Sequence, residues 1–193
     1  MKPQHFLSFS RVLLGLYIFT ELAHSNQSYV VLPAALAACA ADYLDGIFAR
    51  VSNSETVIGR LIDNACDGSF LAMAFCGFAE ATTWSHPLVG SATRFWEHAN
   101  WLPVVGLAAS FGLYLGRWAI TLRHGEAPAP SPRGHHAGVL NYALAVAGGV
   151  AVIPGANVTP WLLEPLFVTV FLLNLSAAYE NLMLLPVELR KER

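Results

Sequence analysis

DYLDGIFARVSNSETVIGRLIDNACD, residues 42–67, places four aspartates on the two sides of a short polar loop. The chain around this stretch has 193 residues, of which 55% are hydrophobic and only 12% are charged. Carboxylates are costly in an apolar environment, so four of them close together need a physical reason. The stretch therefore bears on both the fold and the chemistry of the chain.

Apolar runs recur along the whole chain, whose mean hydropathy is +0.48. About 20 apolar residues suffice for one crossing of a bilayer. The runs predict an all-α integral membrane protein with six transmembrane helices, at approximately residues 6–22, 30–51, 59–80, 101–122, 137–153 and 161–185. No internal repeat or second domain is evident, so we expect residues 1–193 to form a single domain.

The basic residues are distributed very unevenly about these spans. With six spans, both termini lie on one side of the membrane, and of the basic residues only Arg94 falls on the other side. The residues on the side of the termini are Lys2, Arg11, Arg50, Arg60, Arg117, Arg123, Arg133, Arg190, Lys191 and Arg193. The positive-inside rule predicts a multi-pass protein of the inner (cytoplasmic) membrane with both termini in the cytoplasm.

The four aspartates form two pairs with helical spacing. Asp42 and Asp45 are three residues apart near the end of the second span, and Asp63 and Asp67 are four apart near the start of the third. Residues at these spacings share a helix face. A tight hairpin of the two spans would point both pairs at one spot, which predicts an active site between spans two and three at the cytoplasmic side.

Such a cluster needs cations. A carboxylate in the middle of a membrane helix costs about 2.5–3.5 kcal/mol on insertion scales, and four together also repel one another. Arg50 and Arg60 are too few to neutralise them, whereas hard divalent cations such as Mg²⁺ or Mn²⁺ prefer carboxylate oxygens. Two such cations clamp phosphate oxygens in displacement reactions. The residues alone therefore indicate two divalent cations and phosphoryl chemistry at a membrane surface.

Three other interpretations of the aspartates fit the sequence less well. Ordinary solvated helix ends would explain one pair of aspartates, but Gly46 and Gly59 beside them are typical of positions where a ligand or helix approaches closely. A cation-coupled carrier would place its site near the bilayer midplane between repeats. A catalytically inactive protein would gain nothing from the burial of four carboxylates.

The spacing of this stretch resembles the signature of the CDP-alcohol phosphatidyltransferases. The fixed positions read Asp42-x2-Asp45-Gly46-x2-Ala49-Arg50-x8-Gly59-x3-Asp63-x3-Asp67. The resemblance implies a membrane enzyme of phospholipid biosynthesis with six helices, usually a homodimer. Such an enzyme transfers a phosphatidyl or related substituted phosphate group from a CDP-linked donor, here CDP-diacylglycerol, to an alcohol and releases CMP. Membrane lipid is an expected partner and nucleic acid is not.

The resemblance also implies a role for each matching position. Asp67 would bind metal and act as the general base on the acceptor hydroxyl. The other metal ligands would be Asp42, Asp45 and Asp63. The positions that would line the CDP site are Gly46, Ala49, Arg50 and Gly59, with Arg50 near phosphate and Gly59 keeping the floor of the cavity small.

The acceptor alcohol is less clearly indicated. Arg117, Arg123 and Arg133 could hold the phosphate of glycerol 3-phosphate, the first choice, or of inositol phosphate. Positive-inside topology alone would also explain these arginines. Another polar alcohol or phosphatidylglycerol stays open as the acceptor.

Three stretches differ from the pattern of the family's glycerol-phosphate enzymes. Residues 63–68 read Asp-Asn-Ala-Cys-Asp-Gly instead of Asp-Pro-x-Ala-Asp-Lys, and no Gly-Lys-x-Lys-Thr stretch precedes span five. Near the N-terminus, Asn-x-x-Thr-x-x-Arg becomes His5-x-x-Ser8-x-x-Arg11. These differences concern the acceptor and leave the donor half of the motif intact.

Overall fold

The computed structural model describes residues 3–25, 27–52, 56–81, 99–156 and 160–190, and the structural statements below concern those residues. Six α-helices account for most of them: α1 (Pro3–His24), α2 (Val31–Ser52), α3 (Val57–Glu80), α4 (Leu102–Thr121), α5 (Pro132–Ala151) and α6 (Pro160–Arg190). Short 3₁₀ helices, Ala99–Trp101 and Leu122–His124, flank α4. Within the described ranges there is no strand, and the predicted all-α fold with six helices is confirmed.

Four of the helices are both long and apolar enough to cross a membrane. The qualifying segments are Phe6–His24, Val31–Phe48, Leu102–His124 and Pro165–Val187. The other two helices, α3 and α5, are 24 and 20 residues long. At 1.5 Å per residue, about 20 residues already span about 30 Å, so both have the length of a crossing. They fall short in hydropathy because they carry many of the polar residues of the site described below.

Side-chain caps fix the starts of α3 and α5. Thr56 precedes α3, and its Oγ1 accepts a hydrogen bond from the Gly59 N–H at 3.0 Å. Ser131 precedes α5 in the same way and accepts from the Gly134 N–H at 2.9 Å. Each cap satisfies one of the backbone donors that a helix start leaves without a partner. The caps therefore stabilise the first turns of α3 and α5.

The bundle is held together by close pairs of helices. α1 packs most extensively on α3, and α4 packs on α6. At Gly15 of α1, an added Cβ would lie 2.9 Å from the Cα of Phe70 in α3. Only a glycine allows two membrane helices to approach this closely. α2 packs against both α1 and α5, so α1, α2, α3 and α5 bring their polar residues to one region.

Candidate active site

The two pairs of aspartates come together as expected, but not through a tight hairpin: α1 packs on both α2 and α3, which make few direct contacts with each other in the described residues. One oxygen each of Asp42, Asp63 and Asp67 lie within 4.8 Å of one another. Asp45 lies deeper, with its side chain only 7% exposed, whereas those of Asp42 and Asp63 are 43% and 39% exposed. Three carboxylates are thus accessible from outside the bundle or from its cavity, and the fourth supports them from within.

Arg11 of α1 lies at the centre of the four carboxylates, and its side chain is fully buried. Its Nη1 donates to Asp42 Oδ1 at 2.7 Å and to Asp67 Oδ1. Its Nη2 donates to Asp45 Oδ2 at 3.2 Å and to Asp63 Oδ1. One guanidinium therefore bridges both pairs of aspartates and offsets part of their charge. From the sequence, Arg11 had counted as one of the basic residues on the side of the termini.

Two hydroxyl groups complete the carboxylate cluster. Ser8, one turn before Arg11 on α1, donates to Asp45 Oδ2 at 2.8 Å. Tyr142 of α5 donates to Asp67 Oδ1 at 2.6 Å. The ring of Tyr142 stacks on a phenylalanine of α3 with ring centroids 5.6 Å apart, which fixes the direction of its hydroxyl. Nothing in the sequence indicated Tyr142, and the N-terminal pattern related Ser8 to the acceptor and not to the aspartates, although the three-residue spacing of Ser8 and Arg11 puts them on one helix face.

The remaining motif residues lie along the last turns of α2 and the first turn of α3. Gly46 and Arg50 are exposed, and a Cβ added at Gly46 would lie 3.9 Å from Arg50 Nη2. Ala49 belongs to the same turns, and its side chain lies outside the described part of the structure. Gly59 lies at the start of α3, where an added Cβ would lie 2.9 Å from Thr56 Oγ1. The motif thus forms an open track that leads to the aspartates.

A cavity of about 400 Å³ adjoins the carboxylate cluster. α3, α4, α5 and α6 contribute most of its wall, together with the segment 128–131 before α5. Asp42 and Asp67 are the acidic residues that line it. Its other polar lining residues are Asn64, Ser110, Tyr114, Ser131, His135, Asn141, Tyr142, Asn174 and Asn181.

An amide network forms the deep wall of this cavity. Asn174 Nδ2 donates to Asn141 Oδ1 at 2.8 Å, and Asn174 Oδ1 accepts from Ser110 Oγ at 2.8 Å. Asn174 is 1% exposed, and Asn141 and Asn181 are each 3% exposed. Buried amides retain this position only when they are hydrogen bonded. The network therefore gives the cavity a polar but uncharged wall.

The three arginines predicted to bind the acceptor do not converge on the cavity. Arg117 is fully buried and is not among the described lining residues. Its Nη1 donates to Asn181 Oδ1 at 2.7 Å and its Nη2 to the Ala129 carbonyl at 2.8 Å. Arg123 and Arg133 are both exposed, the first in the 3₁₀ helix after α4 and the second in the first turn of α5.

The fold and this geometry define a helical membrane protein with a carboxylate centre beside a polar cavity. The model of the CDP-alcohol phosphatidyltransferase family matches residues 4–179, which include the four aspartates, Ser8, Arg11 and Tyr142. The chain belongs to the CDP-alcohol phosphatidyltransferase family. No curated protein and no solved structure matches the chain. Membership makes the protein a transferase that moves a phosphatidyl group from a CDP-alcohol to an alcohol acceptor.

The carboxylate centre fits the divalent cations on which this family generally depends. Asp42, Asp63 and Asp67 present hard oxygen atoms close enough to share one ion. Such oxygen ligands suit Mg²⁺ and Mn²⁺. The Arg11 guanidinium donates to the same oxygens, so a bound cation would share the carboxylates with it or displace it.

Proposed function

We propose that the protein transfers the phosphatidyl group of CDP-diacylglycerol to a polar alcohol and releases CMP, as a step of phospholipid biosynthesis. The observation that carries this proposal is the convergence of four motif aspartates next to a cavity lined with hydrogen-bonding groups. The carboxylates suit the diphosphate end of the donor once cations are bound, and the cavity suits the acceptor. With this arrangement, donor and acceptor would each reach the carboxylate centre by a separate route.

Asp67 is the proposed general base. The acceptor oxygen attacks the phosphorus that carries the diacylglycerol, and a new O–P bond forms. The bond from that phosphorus to the bridging oxygen of the diphosphate breaks, and CMP leaves with the electron pair. The hydroxyl proton passes to Asp67, which lines the cavity. Its Oδ1 accepts from Tyr142 and Arg11, while no described residue donates to Oδ2, which is therefore the oxygen for the proton.

Two divalent cations, Mg²⁺ or Mn²⁺, are the proposed cofactors. Their ligands would be Asp42, Asp45, Asp63 and Asp67. The cations would offset the negative charge of the diphosphate and of the departing CMP. Asp45, which is buried and accepts hydrogen bonds from Ser8 and Arg11, would hold the deep side of this centre.

The CDP part of the donor would lie along the exposed motif track. Gly46 offers backbone without a side chain, and the adjacent Arg50 guanidinium can contact phosphate oxygens. Ala49 and Gly59 complete the proposed CDP site. The end of α2 and the start of α3, which form the track, both lead to the aspartates. A nucleotide bound there would therefore place its diphosphate at the carboxylate centre.

The proposed setting follows from the distribution of charge in the sequence. The excess of basic residues on the side of the termini supports an inner-membrane protein with cytoplasmic termini. The carboxylate centre would then face the cytoplasm, the side from which the polar CDP headgroup of the donor would reach it. We further propose one domain over residues 1–193 and a homodimer.

Release of CMP by the purified protein in detergent tests this proposal. The mixture contains CDP-diacylglycerol, Mg²⁺ or Mn²⁺ and a panel of alcohols. We expect metal-dependent release that Asp67→Asn lowers by at least about 100-fold, which is the ordinary contribution of a general base. Glu80→Gln is the matched control because Glu80 is an exposed carboxylate at the far end of the same helix. Equal release by Asp67→Asn and Glu80→Gln would refute the role of Asp67.

A further inference from the structure

We infer that the acceptor is an uncharged, polyhydroxylated small alcohol, not a phosphorylated one, and that the amide-lined cavity binds it. This inference rests on the proposed function because the cavity matters only if Asp67 receives the proton of an acceptor hydroxyl. It departs from glycerol 3-phosphate and inositol phosphate, which the arginines of the sequence had suggested.

The position of the cavity identifies it as the acceptor side of the reaction. Asp67 and Asp42 form part of its wall, so a molecule inside it lies beside the proposed base. The motif track of Gly46 and Arg50 lies on the exposed face of α2, and neither residue lines the cavity. A donor on the track and an acceptor in the cavity would therefore approach the aspartates from different directions.

The chemistry of the wall matches hydroxyl groups. Asparagine amides and hydroxyl side chains both donate and accept hydrogen bonds, as an alcohol does. The Asn64 amide donates to Tyr114 OH at 2.9 Å, and among the described residues no donor reaches its carbonyl oxygen. That oxygen can accept from a ligand hydroxyl, whereas it would repel a phosphate oxygen, which only accepts. A polyol can use the donors and the acceptors of the wall together.

No arginine or lysine side chain of the described cavity wall is available to pair with a phosphate group. Phosphate sites in proteins use charge-assisted bonds from arginine or lysine. No arginine or lysine is among the described residues that line the cavity. Among the described lining residues, the one with a basic side chain is His135, which is exposed in the first turns of α5.

The arginines near the cavity have other partners. Arg117 joins Asn181 of α6 to the Ala129 carbonyl of the segment 128–131, so it positions two parts of the wall. Arg133 Nη1 donates to Ser176 at 3.2 Å on α6. Its backbone N–H donates at 3.1 Å to the Glu180 carboxylate.

Glu180 adds a negative charge at this rim of the cavity. Its carboxylate also accepts from the hydroxyl of Ser131, which lines the cavity. A second anion close to this carboxylate would be repelled. Because Glu180 offsets the charge of the neighbouring Arg133, the rim offers a phosphorylated acceptor no net positive charge.

The size of the cavity is consistent with a small acceptor. Its volume of about 400 Å³ lies toward the lower end of the roughly 300–1,000 Å³ that ligand pockets occupy. Such a space holds a three- to six-carbon polyol with its hydrating water. A diacyl lipid such as phosphatidylglycerol would have to leave most of its bulk outside.

Matched pairs of acceptors test the inference. CMP release from CDP-diacylglycerol is measured with glycerol against glycerol 3-phosphate and with inositol against inositol phosphate. We expect the neutral member of at least one pair to have a kcat/KM at least about tenfold higher than its phosphorylated counterpart. A factor of about ten is the effect of one charge-assisted hydrogen bond, which the phosphate would lack in this cavity. Arg133→Gln should leave this ratio within about twofold, because Arg133 does not line the cavity.

His135→Arg supplies the missing cation at an exposed position that folding tolerates. It should shift the ratio toward the phosphorylated acceptors by about tenfold. The inference would be overturned if the wild type preferred the phosphorylated member of both pairs. It would also be overturned if Arg133→Gln could no longer use a phosphorylated acceptor that the wild type uses. Release only with an alcohol outside these pairs that is charged, or only with phosphatidylglycerol, would overturn the inference and leave the proposed function standing. No release with any alcohol of the wider panel, from protein that still binds Mn²⁺, would refute the proposed function and the inference with it.

Discussion

Replacing Arg11 by methionine would remove the one side-chain cation that the described structure places among the four aspartates. Methionine keeps most of the buried volume and takes away the charge. Breaking a buried ion pair by removing one partner costs about 3–5 kcal/mol because the remaining charge lacks compensation. Since Asp42 and Asp63 are 43% and 39% exposed, water relieves part of this cost, and the lower end, about 3 kcal/mol, applies.

Thermal unfolding in detergent, followed by tryptophan fluorescence, measures this cost. For chains of this length, about 1 kcal/mol corresponds to about 2–4 °C, so Arg11→Met should melt about 6–12 °C below the wild type in EDTA. Arg60→Met is the matched control, because Arg60 is exposed and forms no ion pair with a described residue. Its loss should stay within about 0.5 kcal/mol.

Divalent cations should reverse most of the loss in Arg11→Met. Mg²⁺ or Mn²⁺ at about 100 times its dissociation constant stabilises a protein that binds it only when folded by about 2.7 kcal/mol. In the variant, the ion meets the carboxylates without a competing guanidinium, so its stabilising effect should exceed that on the wild type. Equal melting of Arg11→Met and Arg60→Met in EDTA, or equal stabilisation of wild type and Arg11→Met by Mn²⁺, would refute the reasoning.

Two further substitutions test the support of Asp67 and the packing of the bundle. Tyr142→Phe removes the hydroxyl that donates to Asp67 at 2.6 Å; kcat for CMP release should fall about tenfold with KM for the donor within about twofold, and an unchanged kcat would contradict the positioning role. At Gly149 of α5, an added Cβ would lie 2.9 Å from the Leu32 Cα of α2, so Gly149→Ala should destabilise by about 1–3 kcal/mol. Gly112→Ala meets nothing within 4 Å and should stabilise by up to about 1 kcal/mol; melting shifts of the same sign would contradict the close α2–α5 contact.

The spacing of the aspartates was sufficient to predict that they share helix faces, because that relation is local. Asp42 with Asp45, and Asp63 with Asp67, lie within about one turn of helix. The six helices followed from apolar length for the same reason. In both cases the deciding physics acts within about twenty residues of chain. The expected tight pairing of α2 with α3 was not local in this sense, and the structure places α1 against both helices instead.

The place of Arg11 could not be predicted in this way, because it depends on how α1 packs on α3. That packing is set by close contacts such as Gly15 on Phe70, which are 55 residues apart in sequence. Tyr142 reaches Asp67 across an even longer separation. The arginines predicted to bind the acceptor illustrate the same limit. The distribution of charge predicts the side of the membrane on which Arg117 lies, but its hydrogen bond to Asn181 depends on how the helices pack.

The two substrate sides of this centre differ in charge, and the reaction gives a reason for the difference. In the proposed reaction the donor brings a diphosphate, whose charge the carboxylate-bound cations and Arg50 would offset. An acceptor phosphate on the other side would add a second anion within a few ångströms of the first and would compete for the same cations. Apart from Asp42 and Asp67, the cavity is lined by groups such as Asn141 and Asn174 that would bind an alcohol by hydrogen bonds and avoid that repulsion. In the proposed reaction Asp67 would lie between the two substrates and take the proton of the alcohol as its oxygen attacks the phosphorus of the donor.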